Sequence, residues 1–507
     1  MDIEPPVYYR DEAPDYRRLL ITYSHTQPLN AQFWVDVVKK ELEPFGGELY
    51  AEFSVEALCV KIWNLTNEER SVDDAIYRLQ TRVKEKDFTA ERDMRLSVLA
   101  LTNDKYSERQ WALTRIEAQP AWERVAKAGS GRPPVTVAVI DSGAQPGHQD
   151  LDGPPRLDGI RVVPPIGPNF ADDTGHGTML AGTIAAVSGN DIGIAGVASN
   201  PITTPTRLPD LRLFAVKFDD ARNPPTASRA VAGMTQAAHA GAQVINASWH
   251  VLDGSGVLFS VIQALAPVLV VAAAGNRGMN NAARPPTLPA SYNLPNILSV
   301  MASNEDDYKA WFSNYGTNVD IAAPGTRIIS TSMYYVAPPV PPHRIYNPAY
   351  RTYSGTSPAA AHASGAAALL LAIDNWSPVE IREHLTKSAD FVPHLNGLCR
   401  ANGRLNVHRA ICGPFRIVSP GGGNHAPSSP FTVQWTLDYD SPVVQTVEIT
   451  INRHADGALV APLVSGIPAN TPAFPTSMPS VATPDVIVRV RCLEKNLYAD
   501  SAPFDIV

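Results

Sequence analysis

Between about residues 103 and 412 the chain alternates short, continuous apolar runs with Ala- and Gly-rich stretches, and this alternation restricts its fold more than anything else in it. The runs are VTVAVID, LRLFAVKF, AQVINAS, PVLVVAAAG and NILSVMAS, and they end in polar residues or Gly. A strand that is apolar on both faces must be covered on both faces. Helices that return the chain between such strands do this, and they make the sheet parallel. The expectation is a doubly wound α/β unit whose chemistry lies outside the carboxyl ends of its strands. Asp141, Ser248 and Asn276 each stand just past such an end.

At 507 residues the chain is too long for one compact domain. Residues 1–102 read β-α-β-β-α-β. A strand-like run Leu19–Ser24 precedes a helical Asn30–Phe45 and a turn at Gly46 and Gly47, and two strands then end in EALCVKIW. A second helix carries Asp73, Ala75, Ile76, Leu79 and Val83, and the last strand is Arg95–Leu101. That order predicts a ferredoxin-like α+β domain. Residues 103–412 hold the α/β domain. From 413 the character changes: Gly413, Pro414 and SPGGGNHAPSSP lead into alternating runs FTVQWTL, VQTVEITI, VIVRVRCL and FDIV. This predicts a C-terminal β-sandwich of the fibronectin-type-III-like kind over 413–507.

Composition narrows the functional classes. Apolar residues make up 44% and charged ones 18%, as in a globular protein with a large core. The net charge of −8 and the lack of a basic stripe argue against a nucleic-acid partner. No apolar run of transmembrane length is read, since Val257–Val271 is broken by polar residues and Pro. The first twenty residues carry acids and prolines where a secretion signal would be apolar, so a cytoplasmic or non-classically exported protein is expected. Four cysteines, Cys59, Cys399, Cys412 and Cys492, form no metal-binding pattern. Cys399 and Cys412 are either a pair in an oxidising compartment or two buried thiols.

Three blocks carry nucleophilic chemistry: VAVIDSG with Asp141, DDTGHGTMLAGTIAA with His176, and TYSGTSPAAAHASG with Ser357. A serine hydroxyl needs a base to take its proton, and histidine titrates near neutrality. Asp141 would hold the imidazole's tautomer, and Gly175 and Gly177 would allow close approach to the ring. Ser357, ahead of an Ala-rich helix, would offer its own N–H to an oxyanion. A fourth block, VVAAAGNRG, sets Asn276 after a strand and Gly275, where a side-chain amide can donate to the same oxyanion. A lone Asp at a strand end is more often a turn or cap residue, and a lone HGT more often a loop histidine. It is the four together, in the order Asp, His, Ser, that make an active site the stronger reading.

These blocks resemble the signature segments of the subtilisin-like serine proteases, the subtilases, from about Asn103 to Cys412. The resemblance implies an endopeptidase acting on polypeptides, with Asp141, His176 and Ser357 as triad and Asn276 as oxyanion donor. Two departures stand out. Pro358 follows the nucleophile and Ala361 replaces the usual Pro, while NASWHV replaces the usual Ser-Leu-Gly-Gly. Ser248, Trp249, His250 and Gly275 are the implied substrate-binding positions, and His250 either narrows the first specificity pocket or turns to solvent. No acidic residue stands at an obvious pocket position in AARPPTLPASY, so no strictly basic preference is expected there.

Resemblance also implies structural calcium, held by Asp104, Asp150, the Asn190 side chain and the carbonyls of Val187, Ile192 and Ile194, an oxygen set that suits the ion. The competing reading is a tight turn without one. By position the N-terminal domain resembles an inhibitory propeptide, so a zymogen cut near Ala100 is expected. The Pro- and Tyr-rich insertion before Ser357 either shapes specificity or covers surface. An alternative for the whole chain is a catalytically silent scaffold on the same fold.

Overall fold

The computed structural model describes residues 18–24, 38–40, 42–45, 47–55, 58–65, 79, 88–92, 102–127, 134–151, 157–199, 211–220, 222–251, 254–283, 286–333, 349–420, 423–438, 443–471 and 473–507. The chain divides into two compact units, Met1–Val98 and Leu99–Val507.

In the first unit, β1 (Arg18–Ser24), β2 (Gly47–Val55), β3 (Leu58–Leu65) and β4 (Phe88–Arg92) form one antiparallel sheet in the order β2-β3-β1-β4. This is the ferredoxin-like order. The fourth strand is not the run expected. Phe88–Arg92 pairs with Leu19–Tyr23, whereas Arg95–Leu101 lies outside the described residues. An alternating stretch suits a sheet with one open face better than a continuous apolar one.

The second unit is built on a nine-stranded sheet. Its strands are β5 (Thr136–Asp141), β6 (Leu157–Arg161), β7 (Arg212–Lys217), β8 (Val244–Ala247), β9 (Leu269–Ala273), β10 (Ile297–Ser303) and β11 (Ile321–Pro324). After a separate pair, β12 (Ile328–Thr331) and β13 (Tyr350–Tyr353), come β14 (Asp390–Phe391) and β15 (Gly403–Arg404). The order is β14-β15-β11-β10-β9-β8-β5-β7-β6, parallel except for β14. From β5 the chain runs to one edge for β6 and β7, then crosses to the other side of β5 for β8 and onward. The strand order reverses between β5 and β8, and a crevice opens at such a reversal.

The helices are α1 (Trp111–Arg115), α2 (Ala118–Lys127), α3 (His176–Ala185), α4 (Ala227–His239), α5 (Gly256–Ala264), α6 (Thr356–Ile373), α7 (Pro378–Lys387) and α8 (Val407–Cys412). Period-2 alternation sorts the strand side chains between two cores. Val137, Val139, Leu213, Ala215 and Val244 pack with residues of α3 and α6. Ala138, Ile140, Val216, Phe218, Ile245 and Ala247 pack with those of α4 and α5. Helix α6 is buried almost all round, which its Ala, Gly and Leu content permits. Its length and hydropathy would also let it cross a membrane, but here it lies in the core.

The C-terminal residues form two sheets. One is β16 (Phe415–Ser419), β18 (Pro430–Leu437) and β21 (Ala473–Ser477). The other holds β17 (Gly423–His425), β24 (Phe504–Ile506), β22 (Thr483–Cys492), β19 (Thr446–Arg453) and β20 (Leu459–Pro468), with β23 (Tyr498–Asp500) on β22. Val433 and Trp435 of the first sheet and Ile449, Ile451, Val488 and Val490 of the second belong to the same core as the α/β layers. Polar contacts add to that joint. Lys495 Nζ donates to the Asn375 carbonyl at 2.6 Å and pairs with Glu380 at 3.2 Å. Arg124 Nη2 donates to the Asn496 carbonyl at 2.9 Å, and its guanidinium lies 3.3 Å from the Tyr498 ring centroid. Cys399, Cys412 and Cys492 are free thiols.

Candidate active site

Asp141 ends β5 and its side chain falls on the α3 side by the alternation above. His176 begins α3, and its Nδ1 lies 2.7 Å from Asp141 Oδ1. The approach needs glycine: a Cβ on Gly177 would meet the Gly143 carbonyl oxygen at 2.0 Å and Asp141 Cβ at 3.2 Å. Asp141 Oδ1 also accepts the Ser142 N–H at 2.9 Å, which fixes the carboxylate's plane.

Asp172 holds the start of α3. Its carboxylate accepts N–H groups from Thr174 at 3.0 Å, Gly175 at 2.9 Å and Thr178 at 2.9 Å, and the Thr178 hydroxyl at 2.6 Å. These donors would otherwise be unsatisfied in the first turn. The signal was present in DDTGHGT, an acid just ahead of a helix start, but it was read only for its histidine.

Burial disfavours charge on the His176 ring, but the Asp141 charge and hydrogen bond outweigh it, helped by Asp172 and Asp219, and its pKa is pushed up to about 9. Two-fifths of the side chain remains open to solvent.

Ser357 lies in the first turn of α6, buried, with Pro358 after it where a missing N–H costs nothing. Its hydroxyl donates to the Ser248 carbonyl at 3.4 Å, and among the described residues no hydrogen bond joins it to His176. Such bonds are often unmade in a free active site and tighten with substrate. Ser248 is held in turn: its Oγ accepts Asn246 Nδ2 at 2.9 Å, and Asn246 Oδ1 accepts the Ser364 hydroxyl of α6 at 3.0 Å.

Asn276 follows β9 by three residues. Its Oδ1 accepts the Thr356 N–H at 2.8 Å and the Thr356 hydroxyl at 2.9 Å. Because both partners donate, that atom is the amide oxygen, and the exposed Nδ2 is left to donate elsewhere. Gly275 adopts φ +106° and donates its N–H to Thr356 Oγ1 at 3.1 Å. Trp249 turns its side chain inward, where Nε1 donates to the Ile140 carbonyl at 3.0 Å. His250 is exposed, and partial desolvation of its ring and the Arg277 charge lower its pKa.

The residues expected to hold calcium also come together. Asp104 accepts N–H groups from Gly189 and Asn190, each at 3.0 Å. Asp150 accepts Asn190 Nδ2 and the Ile194 N–H, each at 2.9 Å. Burial, with the nearby Asp104 charge, raises the Asp150 pKa. Among the described residues nothing donates to the carbonyls of Val187, Ile192 and Ile194, nor do three His, Cys, Asp or Glu side chains converge. Two neighbouring carboxylates, an amide and open carbonyls are hard oxygen donors that fit a calcium ion, since each carboxylate oxygen keeps a lone pair.

Comparison with known proteins bears on this geometry. The family model for the subtilase family matches residues 133–411. Alkaline elastase YaB from a Bacillus strain is 36% identical over 282 residues, covering 55% of this chain and 64% of the elastase. Thermitase of Thermoactinomyces vulgaris is 35% identical over 319 residues, covering 61% of this chain and 98% of thermitase. Subtilisin Savinase of Lederbergia lenta is 35% identical over 303 residues, covering 59% of this chain and 97% of Savinase. Among solved structures, a protease from Pseudoalteromonas arctica shares the fold with a TM-score of 0.51 and 24% identity, over 61% of this chain and 98% of that one.

Proposed function

The chain belongs to the subtilase family of serine endopeptidases, and from that premise we propose that Asp141, His176 and Ser357 are its catalytic triad and Asn276 its oxyanion donor. The observation that carries the reading is the 2.7 Å Asp141–His176 pair at the strand-order reversal, facing the helix that bears Ser357.

Ser357 leaves its 3.4 Å contact with the Ser248 carbonyl and gives its proton to His176 Nε2 as Oγ attacks the scissile carbonyl. Asp141 stabilises the imidazolium through Nδ1. The oxyanion takes hydrogen bonds from the Ser357 N–H and Asn276 Nδ2, whose direction Thr356 sets. His176 then protonates the leaving amine, and water hydrolyses the acyl-enzyme by the reverse proton path. Backbone groups of Ser248, Trp249, His250 and Gly275 would pair with an extended polypeptide.

A silent scaffold draws support from the hydroxyl's contact with the Ser248 carbonyl and from the lack, among the described residues, of a hydrogen bond to His176. Fluorophosphonate labelling separates the two readings. Stoichiometric labelling of Ser357 in the folded protein is expected, and its absence would favour the scaffold.

The proposal extends to calcium, bound by Asp104, Asp150, Asn190 and the carbonyls of Val187, Ile192 and Ile194. When bound, the ion would neutralise the two carboxylates and cross-link three separate chain segments. Excess chelator is expected to lower Tm by about 3 °C, the shift in a unit of this size for an ion held near a hundred times its Kd. In Asp150→Ala most of that effect should vanish. A melting curve unmoved by chelator in the wild type would mean that hydrogen bonds alone close the loop.

The N-terminal unit is proposed to be a propeptide, removed by a cut near Ala100. Its ferredoxin-like strand order and its place ahead of Asp104 support this.

A further inference from the structure

Carboxylates crowd the Asp141–His176 pair, and the proposed mechanism uses only one of them. Asp172 is engaged in holding the first turn of α3, and Asp173 pairs with Lys217 Nζ at 2.8 Å. Asp219 has no such task. It follows the end of β7, where the Phe218 N–H still donates to the Asp141 carbonyl at 2.9 Å, so the chain there runs beside the end of β5. Leu213 and Ala215 face α3 and α6, as does Lys217, whereas Val216 and Phe218 face α4 and α5. Continuing the alternation turns Asp219 toward Asp141 and His176.

The Asp219 side chain is half-buried, and its Oδ1 is closed to solvent with no hydrogen-bond partner among the described residues. A carboxylate oxygen left in that state is costly, and buried unsatisfied groups in native proteins call for a reason. That oxygen is closed to substrate, and what the Asp141–His176 pair receives from the group is its charge. The groups whose charge it feels are Asp141, His176, Lys217 and Asp172. Burial and the Asp141 charge push its pKa up to about 7.

We propose that Asp219 is a positioning residue for the general base, a second carboxyl group that on losing its proton holds positive charge on His176 and moves the acid limb of the activity profile to higher pH. This rests on the triad reading for its kinetic consequence. His176 serves as base only when neutral, and an ionised Asp219 favours its charged form. Removing the carboxylate therefore frees the neutral ring at lower pH.

The test is Asp219→Asn in the full chain, with Asp219→Ser as a second neutral variant. The acid limb of kcat/KM on a chromogenic peptide should move down by roughly 0.5–1 pH unit, with the alkaline plateau within about twofold of wild type. Asp219→Glu should restore the limb. In parallel, the His176 ring is titrated by NMR in the Ser357→Ala background with and without Asp219→Asn, and its midpoint should fall by the same amount. This arm needs no catalysis, so it decides the inference even if the triad reading fails. A ring midpoint unmoved in a folded variant overturns the proposal, as does a plateau loss with an unmoved limb, which would mark Asp219 as merely structural.

Discussion

Ser357→Ala is expected to lower kcat about 10⁶-fold, the loss seen when a subtilisin is deprived of its nucleophile. Folding should be spared. The hydroxyl makes one long contact, 3.4 Å to the Ser248 carbonyl, and the residue sits in a helical turn where alanine is favourable. The substitution itself should therefore cost little stability, since so weak a contact contributes little. Peptidase activity within tenfold of wild type would remove Ser357 from the mechanism. The same pair of proteins reports on maturation. Mass spectrometry should find the wild type beginning near Ala100 and Ser357→Ala uncut. If both stay whole while the wild type digests peptides, the N-terminal unit is not a removable propeptide.

The layered sheet was legible because its strands are apolar on both faces, and the motifs could be placed at strand ends without knowing strand order. Asp141, His176, Ser357 and Asn276 stood out as candidates through local context alone. Asp219 did not. Its relation to Asp141 exists only because β7 lies beside β5, a neighbour far away in sequence, and no motif surrounds it. Tyr350 is a similar case. It contacts Gln149 through its hydroxyl at 2.9 Å and helps hold Asp150, yet it comes from the Pro- and Tyr-rich insertion. Residues 334–348 of that insertion lie outside the described residues, so its two readings stand as they were. Phe88–Arg92, short and partly polar, takes its place in the N-terminal sheet by pairing with Leu19–Tyr23, a neighbour far away in sequence, while the expected strand Arg95–Leu101 lies outside the described residues. Nor did the break at residue 413 announce that the C-terminal sheets share one core with the α/β layers, since linker composition says nothing about what packs across it.

Asp141→Asn separates geometry from charge in the proposed triad. Asparagine keeps the shape, but Asp141 Oδ1 both accepts the Ser142 N–H at 2.9 Å and meets His176 Nδ1 at 2.7 Å, so an amide nitrogen turned to the ring gives up the Ser142 bond. What changes lies between Nδ1 and the side chain. An amide nitrogen facing the ring donates to Nδ1, which puts the imidazole proton on Nε2, where it cannot accept from Ser357. A fall in kcat of roughly 10⁴ is expected, the scale of the same change in another serine-protease triad. The charge effect runs the other way. In the wild type the Asp141 charge and hydrogen bond, with the charges of Asp172 and Asp219, together outweigh burial and lift the His176 pKa to about 9, so kcat/KM should climb through the alkaline range as the ring loses its proton. Without the Asp141 charge the ring loses its proton at lower pH, and the acid limb of the small residual activity should shift downward. The pH profile therefore shows two changes of different origin, a lower plateau from the wrong tautomer and an earlier rise from the missing charge. A plateau within tenfold of wild type would exclude Asp141 as the residue that orients the base. A lowered plateau with an unmoved acid limb would instead mean that Asp141 orients the ring but that other groups, Asp172 and Asp219 first among them, keep it charged.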